Sequence, residues 1–466
     1  MPYKMLINGK LVQGATTTGV EDPATCEIFE QCPRADEAQL ALAVAAAKSA
    51  FPDWAKRSYP ERGALLASLA DALQKNADAM ARLLTREQGK PLEQAQYEVG
   101  GAVAFLKFTA TQSLPNKTLR DSDSEYIIET RSPLGVVAAI APWNYPVLLM
   151  VMKIAPALLT GNTVVAKPAP TTPLTTLFFG EIAATILPAG VLNVIADNND
   201  LGAKLSIHPD IAKVSFTGST RTGIHVLQSA SSTLKRVTLE LGGNDAAIIL
   251  DDVNIDEVAP KIFNAAMLNS GQVCLAAKRI FAPRVLYDKL CDKFAALADE
   301  AVLGNGMDPE TQFGPIQNRN QYERVKELIE DARSLGKVIA GGTLPDGPGY
   351  FIRPTVIRDL PDDSRLVREE QFGPVMPVLV YDDVDELIAR VNASEYGLGG
   401  TIWAKDIQRA LKIAERVETG IMWINCHLQM SFDVPLGGAK QSGMGVELGQ
   451  QGLEEYTQMK IISTAR

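Results

Sequence analysis

A change of rhythm near Thr163 limits the folds open to this chain more than any other feature. Short runs rich in β-formers, Thr-Val-Val-Ala at 163, Leu-Asn-Val-Ile at 192, Val-Ser-Phe at 214 and Val-Thr-Leu-Glu at 237, alternate with segments of helical spacing. Strands separated by a helix's length of chain are joined by crossovers rather than hairpins, so they lie parallel in one sheet. That is a nucleotide-binding kind of sheet. A second series begins at 246–250, continues through helices at 257–268, 287–302 and 321–335, and ends with strands near 400–403 and 420–424. With 466 residues the chain exceeds what one ordinary core serves, and two large domains are expected.

The first hundred residues read as mainly helical. Residues 36–56 are Ala-rich with apolar positions at helical spacing, Pro60 suits a first helical turn, and 91–112 is another amphipathic run. Residues 124–140, divided by Ser-Pro-Leu-Gly, read as a protruding hairpin, and the tail at 453–462 as a further strand. The expected fold is α/β: a Rossmann-like dinucleotide-binding domain from 1–120 and 141–240, a catalytic α/β domain from 241–440, and a small β element from 121–140 and 441–466.

Bulk properties narrow the function. With 46% hydrophobic and 21% charged residues the chain is ordinary globular material, and a net charge of −10 argues against a nucleic-acid or anionic-membrane partner, which needs a concentrated basic face. The uncharged stretch 132–152 is broken by Pro133, Pro142 and Pro146 and is no membrane span. Five scattered cysteines and no apolar leader suit a reducing, cytoplasmic setting, and three histidines without paired spacing predict no metal site.

The chemistry points to Cys274, in Asn-Ser-Gly-Gln-Val-Cys (269–274), and Glu240, in Leu-Glu-Leu-Gly-Gly-Asn (239–244). A thiol approached past a glycine, with an acid to handle protons, is what covalent catalysis needs. Singly, such a cysteine is more often a packing residue and such an acid a satisfied ion-pair partner. Their company decides between these readings: Pro-Trp-Asn-Tyr-Pro at 142–146, Phe-Thr-Gly-Ser-Thr at 216–220, Glu-Glu-Gln-Phe-Gly-Pro-Val at 369–375 and Pro-Leu-Gly-Gly-Ala-Lys-Gln-Ser-Gly at 435–443. In this order and spacing the chain resembles the aldehyde dehydrogenase superfamily over nearly its whole length.

The resemblance implies oxidation of an aldehyde to a carboxylic acid through a thiohemiacetal and a thioester on Cys274. Asn144 and the Cys274 N–H would hold the oxyanion, Glu240 would activate water, and an oxidised nicotinamide would take the hydride. It places Ile140, Trp143, Lys167, Ala169, Pro170, Gly202, Phe216, Gly218, Ser219, Leu241, Glu370 and Phe372 around NAD or NADP. Gly218 and Ser219, at a strand-to-helix turn, suit a diphosphate on a helix N-terminus.

Where the family often has Lys-Pro-Ser-Glu, this chain reads Lys167-Pro168-Ala169-Pro170. Loss of that acid opens the site to a 2′-phosphate that Lys167 would attract, while Asp197 and Asp200 nearby oppose one; NAD is expected, with NADP possible. Tyr145, Leu149, Met152, Leu268, His427 and Met430 should face the aldehyde. With no arginine among them, a neutral apolar or aromatic aldehyde is expected. A homodimer or homotetramer is implied as well. The alternatives are a CoA-acylating relative, disfavoured by Glu240, and a catalytically silent binding or structural protein of this fold.

Overall fold

The computed structural model describes residues 3–466. Eight strands form the first large sheet, in the order Lys10–Val12, Met5–Ile7, Leu192–Val194, Thr163–Lys167, Val136–Ile140, Ile211–Thr217, Arg236–Glu240, Gly443–Met444. Its five central strands are parallel, and antiparallel pairings occur only toward the two edges. From Val136–Ile140 the chain winds outward to Leu192–Val194, then returns to the other side of its starting strand with Ile211–Thr217. The winding reverses between these two neighbours, where Ile140 pairs with Phe216. Loops leaving their carboxyl ends diverge to opposite faces, and a crevice opens between them.

The second sheet has seven strands, in the order Lys337–Ala340, Thr355–Arg358, Val375–Tyr381, Ala277–Pro283, Asp245–Ile249, Gly399–Trp403, Ile421–Ile424. All but the first are parallel to their neighbours. Ala246, Ile248 and Leu250 enter one core with Val325 and Leu328, whereas Ala247 and Ile249 enter another with Ile262 and Phe294. Helices cover both faces, which is why this strand reads as an unbroken apolar run.

The two sheets are stitched together at one place. Strand Arg236–Glu240 ends one sheet and Asp245–Ile249 begins the other after only residues 241–244, so the carboxyl edge of the first faces the amino edge of the second. The chain returns through residues 425–442, and Gly443 pairs with Glu240 itself. Both crossings therefore flank this one acid.

The predicted helices form as Glu37–Ala55, Tyr59–Lys75 and Leu92–Ala110, joined by a further helix Ala77–Gln88. Asp36 and Ser58 close capping boxes with Gln39 and Glu61, and Pro60 sits in the first turn. The first 34 residues, however, carry four strands. Two of them, Thr16–Asp22 and Glu27–Arg34, pair only with each other and bury few residues, Val20, Cys32 and Pro33, without a regular apolar alternation.

The expected hairpin at 124–140 does not form. Glu125–Pro133 pairs with Lys117–Asp121 on one side and Thr457–Ala465 on the other, while Val136–Ile140 is a central strand of the first sheet. All five residues of Val136–Ile140 are buried, which a protruding hairpin cannot provide. The redirection occurs at Gly135, whose φ of +136° suits glycine, and Asn162 Oδ1 accepts from the N–H groups of Leu134 and Gly135. The small β element thus comprises 117–133 and 457–465, and Gly443–Met444 belongs to the first sheet. Among the described residues no helix is long and apolar enough to cross a membrane.

Candidate active site

Cys274 sits at the amino edge of the second sheet, just before strand Ala277–Pro283, on a loop bent by three successive left-handed residues: Asn269 (φ 51°), Ser270 (φ 54°) and Gly271 (φ 73°). For the two residues with a Cβ this costs about 1–2 kcal/mol each, and it persists only where the surroundings over-determine it. They do. Asn269 Nδ2 donates to Asn144 O at 3.2 Å, Ser270 Oγ to Gly314 O at 2.8 Å, and Gln272 Nε2 to Asn269 O at 2.9 Å, while Gln272 Oε1 accepts from Gln317 N at 2.9 Å. Only glycine fits at 271, because a Cβ there would lie 2.2 Å from Gly373 O.

Asn144 follows the strand Val136–Ile140 at the crevice and is buried. Its Nδ2 donates to Gln272 O at 2.9 Å, two residues before the thiol, and its carbonyl accepts from the buried Lys90 ammonium at 2.8 Å. Lys90 is paired at 2.6 Å with Glu98, whose carboxylate also caps the helix Pro146–Leu159 through Val147 N and Leu148 N. An amide has two N–H donors, so one remains for an oxygen bound at Cys274. Burial pushes the Cys274 thiol up to about 12, with Lys278 pulling it down and Glu370, Asp245 and Glu240 pushing it further up.

Glu240 is buried, and its Oε1 has no hydrogen-bond partner. Burial, then the neighbouring Glu447, hold its carboxyl well above the ordinary range, opposed by Lys153. Lys153 and Glu447 form a buried pair at 2.5 Å. An acid held up in this way takes a proton more readily than an ordinary carboxylate, the property asked of a general base.

The cofactor candidates gather where the first sheet reverses its winding. Ile140 and Phe216 are paired there, Lys167 ends the next strand, and Leu241 follows Glu240. Ser219 caps the helix Thr220–Ser231, and Gly218 leaves room that a Cβ would fill, 2.5 Å from the Phe216 ring. Trp143 and Phe372 meet edge to face at 5.2 Å, and Glu370 Oε1 accepts from Gly243 N at 3.0 Å. Ala169 is buried, Pro170 half-buried, and Gly202 approaches the Lys167 stem. Lys167 is not free, however: it pairs with Asp197 at 2.7 Å, both side chains buried, so little of its charge remains for a phosphate.

Of the substrate candidates, Tyr145, Leu149 and Leu268 pack with Cys274 against one apolar core. Tyr145 lies under the Lys90 ammonium, 3.6 Å from its ring centre. Met152 faces a cavity lined by Phe105, Phe108, Phe432, Leu453 and Tyr456. His427 Nε2 donates to Leu275 O at 2.6 Å and burial pushes its pKa down to about 4, so the ring is neutral. Met430 is partly exposed and lies outside the core cluster.

Sequence reasoning passed over several residues that build this site. Lys278, four positions after the thiol, donates to Val273 O and Cys274 O; Gln371, beside Glu370, donates to Lys278 O; Lys90, Glu98, Lys153 and Glu447 are buried charges in otherwise helical or loop segments. Only Lys278 and Gln371 carried a signal, their adjacency to quoted motifs.

Comparison with known proteins matches residues 12–462 to the model of the aldehyde dehydrogenase family. A betaine aldehyde dehydrogenase of Rhizobium leguminosarum is 38% identical, covering 98% of this chain and 96% of its own. Human retinaldehyde dehydrogenase 3 is 37% identical over 95% of this chain and 88% of its own. An aldehyde dehydrogenase from Bacillus cereus, solved as an NAD+ complex, superposes with a TM-score of 0.97 at 36% identity, over 100% of this chain and 97% of that one.

Proposed function

Because the chain belongs to the aldehyde dehydrogenase family and oxidises aldehydes to carboxylic acids, we propose that it does so through Cys274, Asn144 and Glu240, with NAD, on a neutral apolar or aromatic aldehyde. The Cys274 thiolate adds to the carbonyl carbon, and the spare N–H of Asn144 with the Cys274 N–H holds the resulting oxyanion. NAD, when bound, supplies the oxidising capacity by accepting hydride from that adduct, which leaves a thioester on Cys274. Glu240, unpartnered and ready to take a proton, then activates the water that releases the acid.

What supports this reading is a thiol after a cross-linked left-handed turn, an amide tied to the same loop, and a carboxyl left without a partner whose charge acts on that thiol. The crevice suits a dinucleotide. Gly218 gives room for close approach at the N-terminus of Thr220–Ser231, and Glu370, fixed by Gly243, would take the ribose hydroxyls beside Trp143 and Phe372. The Lys167–Asp197 pair favours NAD over NADP, since a 2′-phosphate would meet an acid and an already neutralised lysine.

Tyr145, Leu149 and Leu268, which pack against the same core as Cys274, are apolar or aromatic and favour an apolar aldehyde. The similar identity to a betaine and a retinaldehyde dehydrogenase leaves that choice to the pocket itself. The three-stranded sheet exposes Leu119, Met459, Ile461 and Ile462, an apolar surface suited to a second copy, hence a homodimer or homotetramer. All five cysteines are free, in keeping with a cytoplasmic location. An aldehyde panel run with NAD and with NADP tests the proposal. Aromatic aldehydes should give the highest kcat/KM, with NAD ahead, and Glu240→Gln should leave a stoichiometric burst of reduced cofactor without turnover. A carboxylate-bearing semialdehyde outrunning the aromatic ones would overturn the substrate class.

A further inference from the structure

Lys278 is almost wholly buried, and none of the roles above employs it. Its ammonium donates to Val273 O at 2.8 Å and to Cys274 O at 2.5 Å, so it lies directly beneath the thiol's own peptide unit. It also stands 3.5 Å from Glu370 Oε1, the same oxygen that accepts from Gly243 N. Gln371 closes the circuit by donating to Lys278 O at 2.9 Å.

A second buried acid faces this group. Asp245 opens the strand Asp245–Ile249 and pairs in register with Ala277; its Oδ1 accepts from Gly399 N at 3.1 Å, and its Oδ2 has no partner. Burial pushes Asp245 up to about 7 and holds Glu370 above its ordinary range, and in both cases Lys278 is the strongest opposing charge. The other cations act more weakly and bond elsewhere: Arg279 also lowers Asp245 but its Nε donates to Asn244 O, and Arg324 lowers Glu370 from the outer side, donating to its backbone carbonyl. His427 is neutral, Tyr396 lies beside Glu370, and Glu240 adds a further acid. One ammonium therefore serves two buried carboxylates and the thiol.

We infer that Lys278 is a positioning residue: it binds the thiol loop to Glu370 and supplies, at a fixed place behind Cys274, the positive charge that stabilises the thiolate, while Asp245 tempers that charge. This rests on Cys274 being the nucleophile and Glu370 the ribose contact. A lysine that only filled space would affect folding but not the ionisation of the thiol. A lysine acting through its charge makes the two partner substitutions move that ionisation in opposite directions.

The test follows Cys274 rather than turnover. The rate of its alkylation by iodoacetamide is measured against pH in the full-length protein without added cofactor, with the modified peptide identified by mass spectrometry. Lys278→Met should raise the midpoint by roughly one unit, slowing alkylation about tenfold at pH 8, and should raise KM for NAD. Lys278→Arg should recover most of both effects. Asp245→Asn should lower the midpoint and speed alkylation. An unchanged midpoint in Lys278→Met, or shifts of the same sign in Lys278→Met and Asp245→Asn, overturns the inference. Should Lys278→Met fail to fold, Asp245→Asn decides alone, and an unchanged or raised midpoint there overturns it. Failure of the reading beneath it looks different: Cys274→Ala would retain turnover whatever the alkylation profile.

Discussion

The thiol loop and the aromatic cavity beside Met152 border one large core, yet they are held by opposite means. The loop before Cys274 is tied by directed polar bonds: Asn269, Ser270, Gln272 and Lys278 each donate to a backbone carbonyl, and Asn269 to Gly271 are left-handed. Around Met152 the contacts are largely aromatic and aliphatic, with Glu447 at the lining, and Phe432 meets Phe105 edge to face at 5.2 Å and Phe108 at 5.8 Å. Directed bonds fix an atom in place, whereas apolar packing fixes a volume and tolerates exchange. The thiol loop is thus held in place, whereas the cavity beside Met152 can tolerate exchange of its lining.

The largest break in this contrast comes from the loop's own reacting groups. Cys274→Ala should lower kcat by at least ~10³-fold, and Asn144→Ala by about 10²–10³-fold, the cost of one oxyanion donor, both with circular dichroism unchanged. Gly271→Ala sharpens it further. The added methyl would collide with Gly373 O, so turnover should fall at least about tenfold, with a lowered Tm, although the residue touches no reactant.

Acidity separates the regions next. Glu240 and Cys274 are both raised by burial, and the roles proposed for them require both deprotonated, so kcat/KM should climb from pH 6 to pH 9 and fall as pH drops. A profile falling across that range would contradict these assignments. On the apolar side Phe432→Ala should leave kcat for small aldehydes within about threefold, yet change the ratio of kcat/KM between aromatic and small aldehydes roughly tenfold.

The same contrast explains what could be read from the chain alone. Strands buried on both faces, such as Thr163–Lys167 and Asp245–Ile249, announce themselves as apolar runs, and Cys274, Glu240 and Asn144 sit in short motifs. Val136–Ile140 was legible as a strand but not its partners, since β propensity does not say which sheet a strand joins. Thr16–Asp22 and Glu27–Arg34 bury only a few residues and show no regular alternation. Lys278, Gln272 and Gln317 escaped because their roles rest on hydrogen bonds to loops far away in sequence, such as Gln317 N to Gln272 and Gln371 Nε2 to Lys278.

The two chain crossings beside Glu240 have a mechanical consequence. A rotation of one lobe against the other takes its axis near the segments that join them, and points on that axis scarcely travel. Any relative rotation of the two sheets would therefore displace Trp143 and Phe372 more than Glu240. The acid assigned to water would keep its neighbours while more distant contacts between the lobes changed.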